Sequence, residues 1–272
     1  MKPILRNLLL AASTTTFLFF STNAHAQLET DASATPEELA ESLVGEGVTI
    51  SGVTMDCPNG ASGFFDCVDC NVGIANGILL TSGDVDLANG PNNSGSAGVG
   101  YGAPGDADLN DIPGVLGTND ACVLEFDITV TSDTVRFNYV FASEEYIEYV
   151  NLINDVFAFY ISGPGIAGTE NMALIPGTAT AVSINNVNHL VNTEYFVGNG
   201  TGADSPYNTD DYYLQYDGFT TVLEAKRSVI PCETYHLKIA IADDADDVFD
   251  SGVFIEAGSL SSPGVNLDRK ST

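Results

Sequence analysis

The chain is dominated by short apolar or alternating segments that glycine, asparagine, aspartate and proline interrupt. Successive side chains of an extended strand point to opposite faces, so alternation marks a strand with one buried face. The alternating apolar residues are Val135, Phe137, Tyr139 and Phe141 in one segment, and Leu237, Ile239 and Ile241 in another. About ten such segments, among them MALIPG (172–177) and AVSINNV (181–187), are separated by turn residues. They predict an all-β fold, either a β-sandwich or a jelly roll.

One short helix is predicted near the N-terminus, in the segment TPEELAESLVGEG (35–47). Thr35 is placed as its N-cap, Pro36 occupies the first helical position and Glu38 completes a capping box. Gly45 follows the last apolar residues and ends the helix.

The first residues read as a targeting segment rather than as part of the fold. A basic start, an apolar stretch and the small-residue motif NAHA identify residues 1–26 as a secretory signal peptide. We expect one β-sandwich domain over residues 27–262 and a short polar tail over 263–272. No later apolar run is long enough to span a bilayer, so we expect a protein that is secreted or held at the cell surface.

The long segment 84–120 is rich in glycine, asparagine and aspartate and has almost no strand pattern. Loops of this length inside a domain are usually functional or disordered. We therefore expect long polar loops on the sandwich.

The charge is strongly negative, with 8 Lys and Arg against 37 Asp and Glu and a formal net charge of −29. Such a surface repels nucleic acid and anionic lipid, which excludes both as partners. Multivalent cations are the natural counterpart of clustered carboxylates. The alternative is acidity that serves only solubility or a saline habitat.

Export favours disulfides over zinc or redox chemistry for the cysteines. The chain also lacks a fourth local Cys or His to complete a zinc site. The candidates are Cys57, Cys67, Cys70, Cys122 and Cys232. Cys122 and Cys232 open two predicted core strands and could bridge them, which would leave one of the other three unpaired.

Two acidic segments at predicted strand ends are candidate calcium sites. Calcium takes six to eight oxygen ligands and tolerates irregular loops. Aspartates this dense repel one another in a tight turn unless a cation neutralises them, although some could simply face water. The candidate ligands are Glu144, Glu145 and Asp155 in the first segment, and Asp243, Asp246 and Asp250 in the second.

A third candidate calcium loop is DADLND, which presents Asp106, Asp108 and Asn110 at alternate positions. The match is partial, because Asp111 replaces the expected glycine and Gly117 stands where the closing glutamate would be.

Hydrolysis of a glycan is the catalytic alternative for these carboxylates. A glycosidase needs two carboxyl groups that face each other across a bond. Glu144 and Glu145 are adjacent and point to opposite sides of an extended backbone, so they cannot be that pair. One of them could still partner a distant aspartate.

Several segments in order resemble the choice-of-anchor L domain family of bacterial exported proteins. They include GILLTSG, GDADLND, FASEEY, NDVFAFYISGPG and YHLKIAIADDADDVFDSGVFIEAGSL. The resemblance covers nearly the whole mature chain. It implies a surface or secreted β domain without an assigned activity, and it carries over no catalytic residues.

Together these features favour an extracellular binding or adhesion module that calcium stabilises and that performs no catalysis. Its unidentified partner would be an extracellular glycan or protein. Tyr207, Tyr212 and Tyr213 are candidate ligand-contacting residues, unless these tyrosines pack on the sheet. The alternatives are the glycan hydrolase and a structural envelope or matrix component.

Overall fold

The computed structural model describes residues 28–67, 70–200 and 213–264. The expected signal peptide and most of the expected polar tail lie outside the described residues. The predicted helix is present as α1 (Pro36–Leu43). The Thr35 hydroxyl accepts from the Glu38 N–H, and the Glu38 carboxylate accepts from the Thr35 N–H, so the capping box forms as predicted.

The remaining regular structure of the described residues is β, with three short 3-10 turns at Val85–Ala88, Leu109–Asp111 and Thr193–Tyr195. The strands are β1 (Glu29–Asp31), β2 (Val48–Asp56), β3 (Ser62–Asp66), β4 (Asn76–Thr81), β5 (Thr118–Val130), β6 (Thr134–Ser143), β7 (Val156–Ser162), β8 (Thr169–Asn171), β9 (Phe196–Gly198), β10 (Gly218–Thr220), β11 (Leu223–Ser228), β12 (Thr234–Asp244) and β13 (Ser251–Glu256).

The strands form two antiparallel sheets. The eight-stranded sheet has the order β1-β3-β4-β13-β6-β10-β9, with β11 also paired to β6. The five-stranded sheet has the order β2-β5-β12-β7-β8. The predicted all-β sandwich is therefore confirmed.

The main core lies between the two sheets and follows the predicted alternation. Phe137 and Tyr139 of β6 point inward against Phe159 of β7, with ring centroids 4.6 and 4.9 Å apart. Ile239 and Ile241 of β12 join the same core. Within the described residues, no helix is both long and apolar enough to cross a membrane.

Two segments predicted as strands, 172–177 and 181–187, form no regular strand. They make only isolated bridges, one between Leu174 and Ala181 and one between Val156 and Ser183. Most of their apolar side chains are buried, but turns satisfy much of the backbone, as in the bond from the Thr178 N–H to the Ile175 carbonyl. In these two segments the apolar pattern therefore indicated buried side chains and not the pairing of a strand.

The disulfide pairing corrects the sequence prediction. Cys57 bonds to Cys122, and Cys67 bonds to Cys70, while Cys232 is free and exposed. Because β5 and β12 are antiparallel, their first residues lie at opposite ends of the pair. Cys122 therefore lies opposite Ile241, and Cys232 is close to the far end of β5.

Loss of the Cys57–Cys122 bond should destabilise the domain. This bond joins β2 to β5 across a sequence separation of 65 residues. Closing a loop of that size stabilises a domain by about 2–4 kcal/mol. We expect C57S/C122S to unfold at a correspondingly lower denaturant midpoint, measured by chemical denaturation. C232S is the matched control and should be neutral; equal midpoints for all three proteins would contradict the assignment.

Candidate cation site

Carboxylates converge where several strands end at one end of the sandwich. β7 begins directly after Asp155, and β13 begins directly after Asp250. Ala242 of β12 pairs with Val156 of β7, so the next residues outward are Asp243 and Asp155. The three carboxylates are buried, with at most 2% of each residue exposed. Two of the predicted acidic segments are therefore brought together.

Asp155 links the two sheets through its carboxylate. One oxygen accepts a hydrogen bond of 2.9 Å from the Asp244 N–H on β12. The other accepts a bond of 2.7 Å from the Ser251 hydroxyl on β13. Burial raises the pKa of Asp155 to about 7, although these two hydrogen bonds lower it.

Asp243 has no such partners. Both of its carboxylate oxygens are buried, and neither accepts a hydrogen bond. Burial raises the pKa of Asp243 well above its usual value, and the neighbouring Asp155 raises it further. The Ser82 hydroxyl lowers this pKa but is not placed to complete a hydrogen bond. A buried carboxylate without partners requires a proton or a bound cation.

No Lys or Arg side chain in the described part of the chain supplies that positive charge. Each of its Lys and Arg side chains forms an ion pair elsewhere. The pairs are Arg136 and Lys226 with Glu224, Arg227 with Glu170, and Lys238 with Asp106 and Asp108.

The loop that follows Ala97 encloses this end of the sandwich. The Val99 N–H donates to both oxygens of Asp250, at 3.0 and 3.2 Å. The N–H groups of Tyr101 and Ala103 donate to the Asp120 carboxylate. This explains why the long polar segment is ordered: its backbone N–H groups bind carboxylates.

Asp120 is a fully buried member of the cluster that the sequence interpretation missed. Its charge raises the pKa of both Asp243 and Asp250. The signal that could have identified it is an aspartate within the apolar strand β5.

Two glycines allow the chain to pack against Asp250. A Cβ atom at Gly83 would overlap the Asp250 carboxylate, and a Cβ atom at Gly98 would overlap the Val248 carbonyl oxygen. Only glycine permits so close an approach.

Glu144 and Glu145 are both buried but lie against different carboxylates. Burial raises the pKa of each to about 9. The charge that next raises the Glu144 pKa is Asp217, whereas for Glu145 it is Asp155. Glu145 therefore borders the Asp155–Asp243 group, and Glu144 belongs to a neighbouring one.

Asp246 is exposed, and its side chain stabilises the turn that contains it. Its side chain accepts from the Val248 N–H at 3.2 Å. The water-facing alternative therefore describes Asp246 better than a role as a buried ligand.

The loop with Asp106, Asp108 and Asn110 already has polar partners. The Lys238 ammonium donates to both aspartates at 2.6 Å. The Asn110 side-chain oxygen accepts from the N–H and the hydroxyl of Thr118. The Lys238 ammonium group thus occupies the position predicted for calcium, so this loop is not part of the proposed cation site.

Of the candidate ligand-contacting tyrosines, Tyr207 and Tyr212 lie outside the described residues. Tyr213 is buried, with 7% of the residue exposed, and Tyr216 is buried in the second core cluster. Packing therefore accounts for Tyr213 better than ligand contact does.

The carboxylates do not form a complete metal centre. Across the described ranges, no group of three or more His, Cys, Asp or Glu side chains is positioned to hold a metal ion. The unpartnered oxygens of Asp243 nevertheless fit a cation. Calcium also accepts hydroxyl and carbonyl oxygens, so Asp243, Asp155 and nearby neutral oxygens match its chemistry.

The comparisons with known proteins give one match, to a family model. The family model of the choice-of-anchor L domain matches residues 27–261. No curated protein and no solved structure matches the chain.

Proposed function

The chain belongs to the choice-of-anchor L domain family, a group of exported or surface-associated bacterial modules, and from this premise we propose that it is a calcium-stabilised extracellular binding module. The observation that carries the proposal is the buried Asp243 carboxylate, whose two oxygens have no hydrogen-bond partner. Asp155 lies beside it, and Asp250 and Asp120 complete an acidic surrounding.

Calcium suits this group better than transition metals do. The available ligands are carboxylate and hydroxyl oxygens, which hard cations prefer. The Asp155 carboxylate already joins the two sheets through Asp244 and Ser251. An ion held by Asp155 and Asp243 would strengthen this junction.

Partner binding is assigned to the same end of the sandwich. Four of its loops contact one another: the Leu116 N–H donates to Asp244, the Asn185 N–H donates to Asn154, and the Tyr149 ring lies 5.3 Å from the Phe249 ring. Large apolar residues are exposed on these loops. They are Leu116, Leu152, Leu190, Val191 and Val248. Exposed apolar side chains grouped beside a polar site favour an interaction surface.

Binding rather than catalysis is proposed because the two glutamates are inaccessible. Glu144 is 2% exposed and Glu145 is 1% exposed. A glycan in solvent would not reach either carboxylate without opening the domain.

Thermal unfolding with calcium and with chelator tests the calcium half of the proposal. We expect the melting temperature to be higher in calcium, because an ion that binds only the folded state stabilises it. Magnesium at the same concentration controls for ionic strength. Coincident melts in calcium and chelator would overturn the proposal.

A further inference from the structure

Glu144 is the middle member of a row of carboxylates across the end of the eight-stranded sheet. Ser143 of β6 pairs with Gly218 of β10 on one side and with Ser251 of β13 on the other. Continuing both registers outward by one residue places Glu144 between Asp217 and Asp250. The hydrogen bond of 3.0 Å from the Glu144 N–H to the Asp250 carbonyl supports this continuation.

This row lies on the side of the sheet that faces away from the main core. In β6, Val140 and Ala142 pack in the second apolar cluster, whereas Phe141 packs in the main core. Glu144 continues the alternation of Val140 and Ala142. Glu144 and Asp217 therefore point away from the main core. Asp250 borders both this row and the Asp243 group, because its charge raises the pKa of Glu144 and of Asp243.

Three buried oxygens of this row lack hydrogen-bond partners. They are both carboxylate oxygens of Glu144 and one oxygen of Asp217. The Gln215 amide and the Ala97 N–H lie close enough to lower the pKa of Glu144, but neither completes a hydrogen bond to its carboxylate. Each residue is only 2% exposed, so water does not solvate these oxygens from the surface. Two adjacent buried carboxylates with free oxygens are an unfavourable arrangement unless positive charge joins them.

The surrounding side chains are neutral amides that orient the site. Asn92 donates to the other Asp217 oxygen at 2.8 Å and to the Gly200 carbonyl at 2.8 Å. Gln215 donates in turn to the Asn92 side-chain oxygen at 3.2 Å. Amide oxygens are further ligands of the kind that hard cations accept.

We infer that Glu144 and Asp217 form a second cation site, which takes one divalent ion of the calcium type. The ion would tie the start of β10 and the loop around Asn92 to the end of β6. The inference extends the proposed function, which requires only the group around Asp155 and Asp243. Either site can be absent while the other binds.

Calcium stoichiometry tests the second site. The mature chain is stripped of metal, and bound calcium is counted by isothermal titration and native mass spectrometry. We expect two ions for the wild type, one for D217N, one for D243N and none for the double variant. The Asp217→Asn change keeps the shape of the side chain and the oxygen that accepts from Asn92. Glu37→Gln on the exposed face of α1 is the control for lost charge and should keep two ions.

The outcomes separate the two proposals. A single wild-type ion that D217N retains and D243N loses would overturn the second site and leave the proposed function intact. A single wild-type ion that D217N loses and D243N retains would overturn the proposed function and leave the second site intact. If D217N does not fold, E144Q takes its place, and two ions bound to E144Q would contradict the inference. A change in melting temperature without a change in stoichiometry would mean that a shared proton holds the pair, which also overturns it.

Discussion

Replacing Asp243 by asparagine should change stability in opposite directions with and without calcium. With calcium at a thousand times its dissociation constant, the ion at Asp243 stabilises the wild type by about 4 kcal/mol, equivalent to about 8–16 °C in melting temperature. D243N should lose that gain, because the amide supplies no charge to the ion. Without calcium, D243N should be more stable than the wild type by about 1–3 kcal/mol, because it buries no unpaired carboxylate.

Thermal melts at about pH 8, where the carboxyl groups of the unfolded chain are ionised, measure both effects. Asp247→Asn is the matched control, because Asp247 is exposed in the same loop. It removes the same charge and should leave both melts close to those of the wild type. If D243N lowers the melting temperature equally in both buffers, Asp243 has a structural role unrelated to calcium.

The calcium-free protein should become less stable as the pH rises, which is the reverse of ordinary acid denaturation. Burial raises the pKa of several carboxyl groups: those of Glu144 and Glu145 to about 9, that of Asp217 to about 8, and those of Asp155 and Asp250 to about 7. The folded state therefore retains protons that the unfolded state releases near pH 4. Their stabilising contribution is complete below the unfolded pKa values and is lost as the pH rises through the folded ones.

Melts in metal-free buffer between about pH 5 and pH 9 should therefore show a falling melting temperature. Each retained proton contributes about 1.4 kcal/mol per pH unit, equivalent to about 3–6 °C. E144Q should reduce the slope, because it removes one of the retained protons. Saturating calcium should flatten the profile, since the ion replaces the protons. A melting temperature that rises with pH in metal-free buffer would contradict the assignment of these groups as buried carboxyl groups without a cationic partner.

The sandwich could be predicted because its signals are local. The alternation of Phe137, Tyr139 and Phe141 depends only on neighbouring residues, and so does the capping box of Thr35 and Glu38. The failed strand at 172–177 shows the limit of this approach. A short apolar run predicts burial, but whether it pairs depends on a partner elsewhere in the chain.

The carboxylate groups could be predicted only in part. The local density of aspartates pointed to the turn that contains Asp243 and Asp250. The roles of Asp120 and Asp217 depend on strand pairing over long separations, and no local pattern encodes that pairing. The bond between Cys57 and Cys122 was missed for the same reason, because it requires β2 and β5 to be neighbours.

The central claim is that a cation replaces the missing partners of the Asp243 carboxylate. A crystal structure of the protein grown with calcium tests it most directly. We expect an ion with Asp243 and Asp155 oxygens at about 2.3–2.6 Å, and a second ion at Glu144 and Asp217. A well-ordered structure in which the Asp243 oxygens contact no ion, and instead share a proton with a neighbouring carboxylate, would contradict the claim.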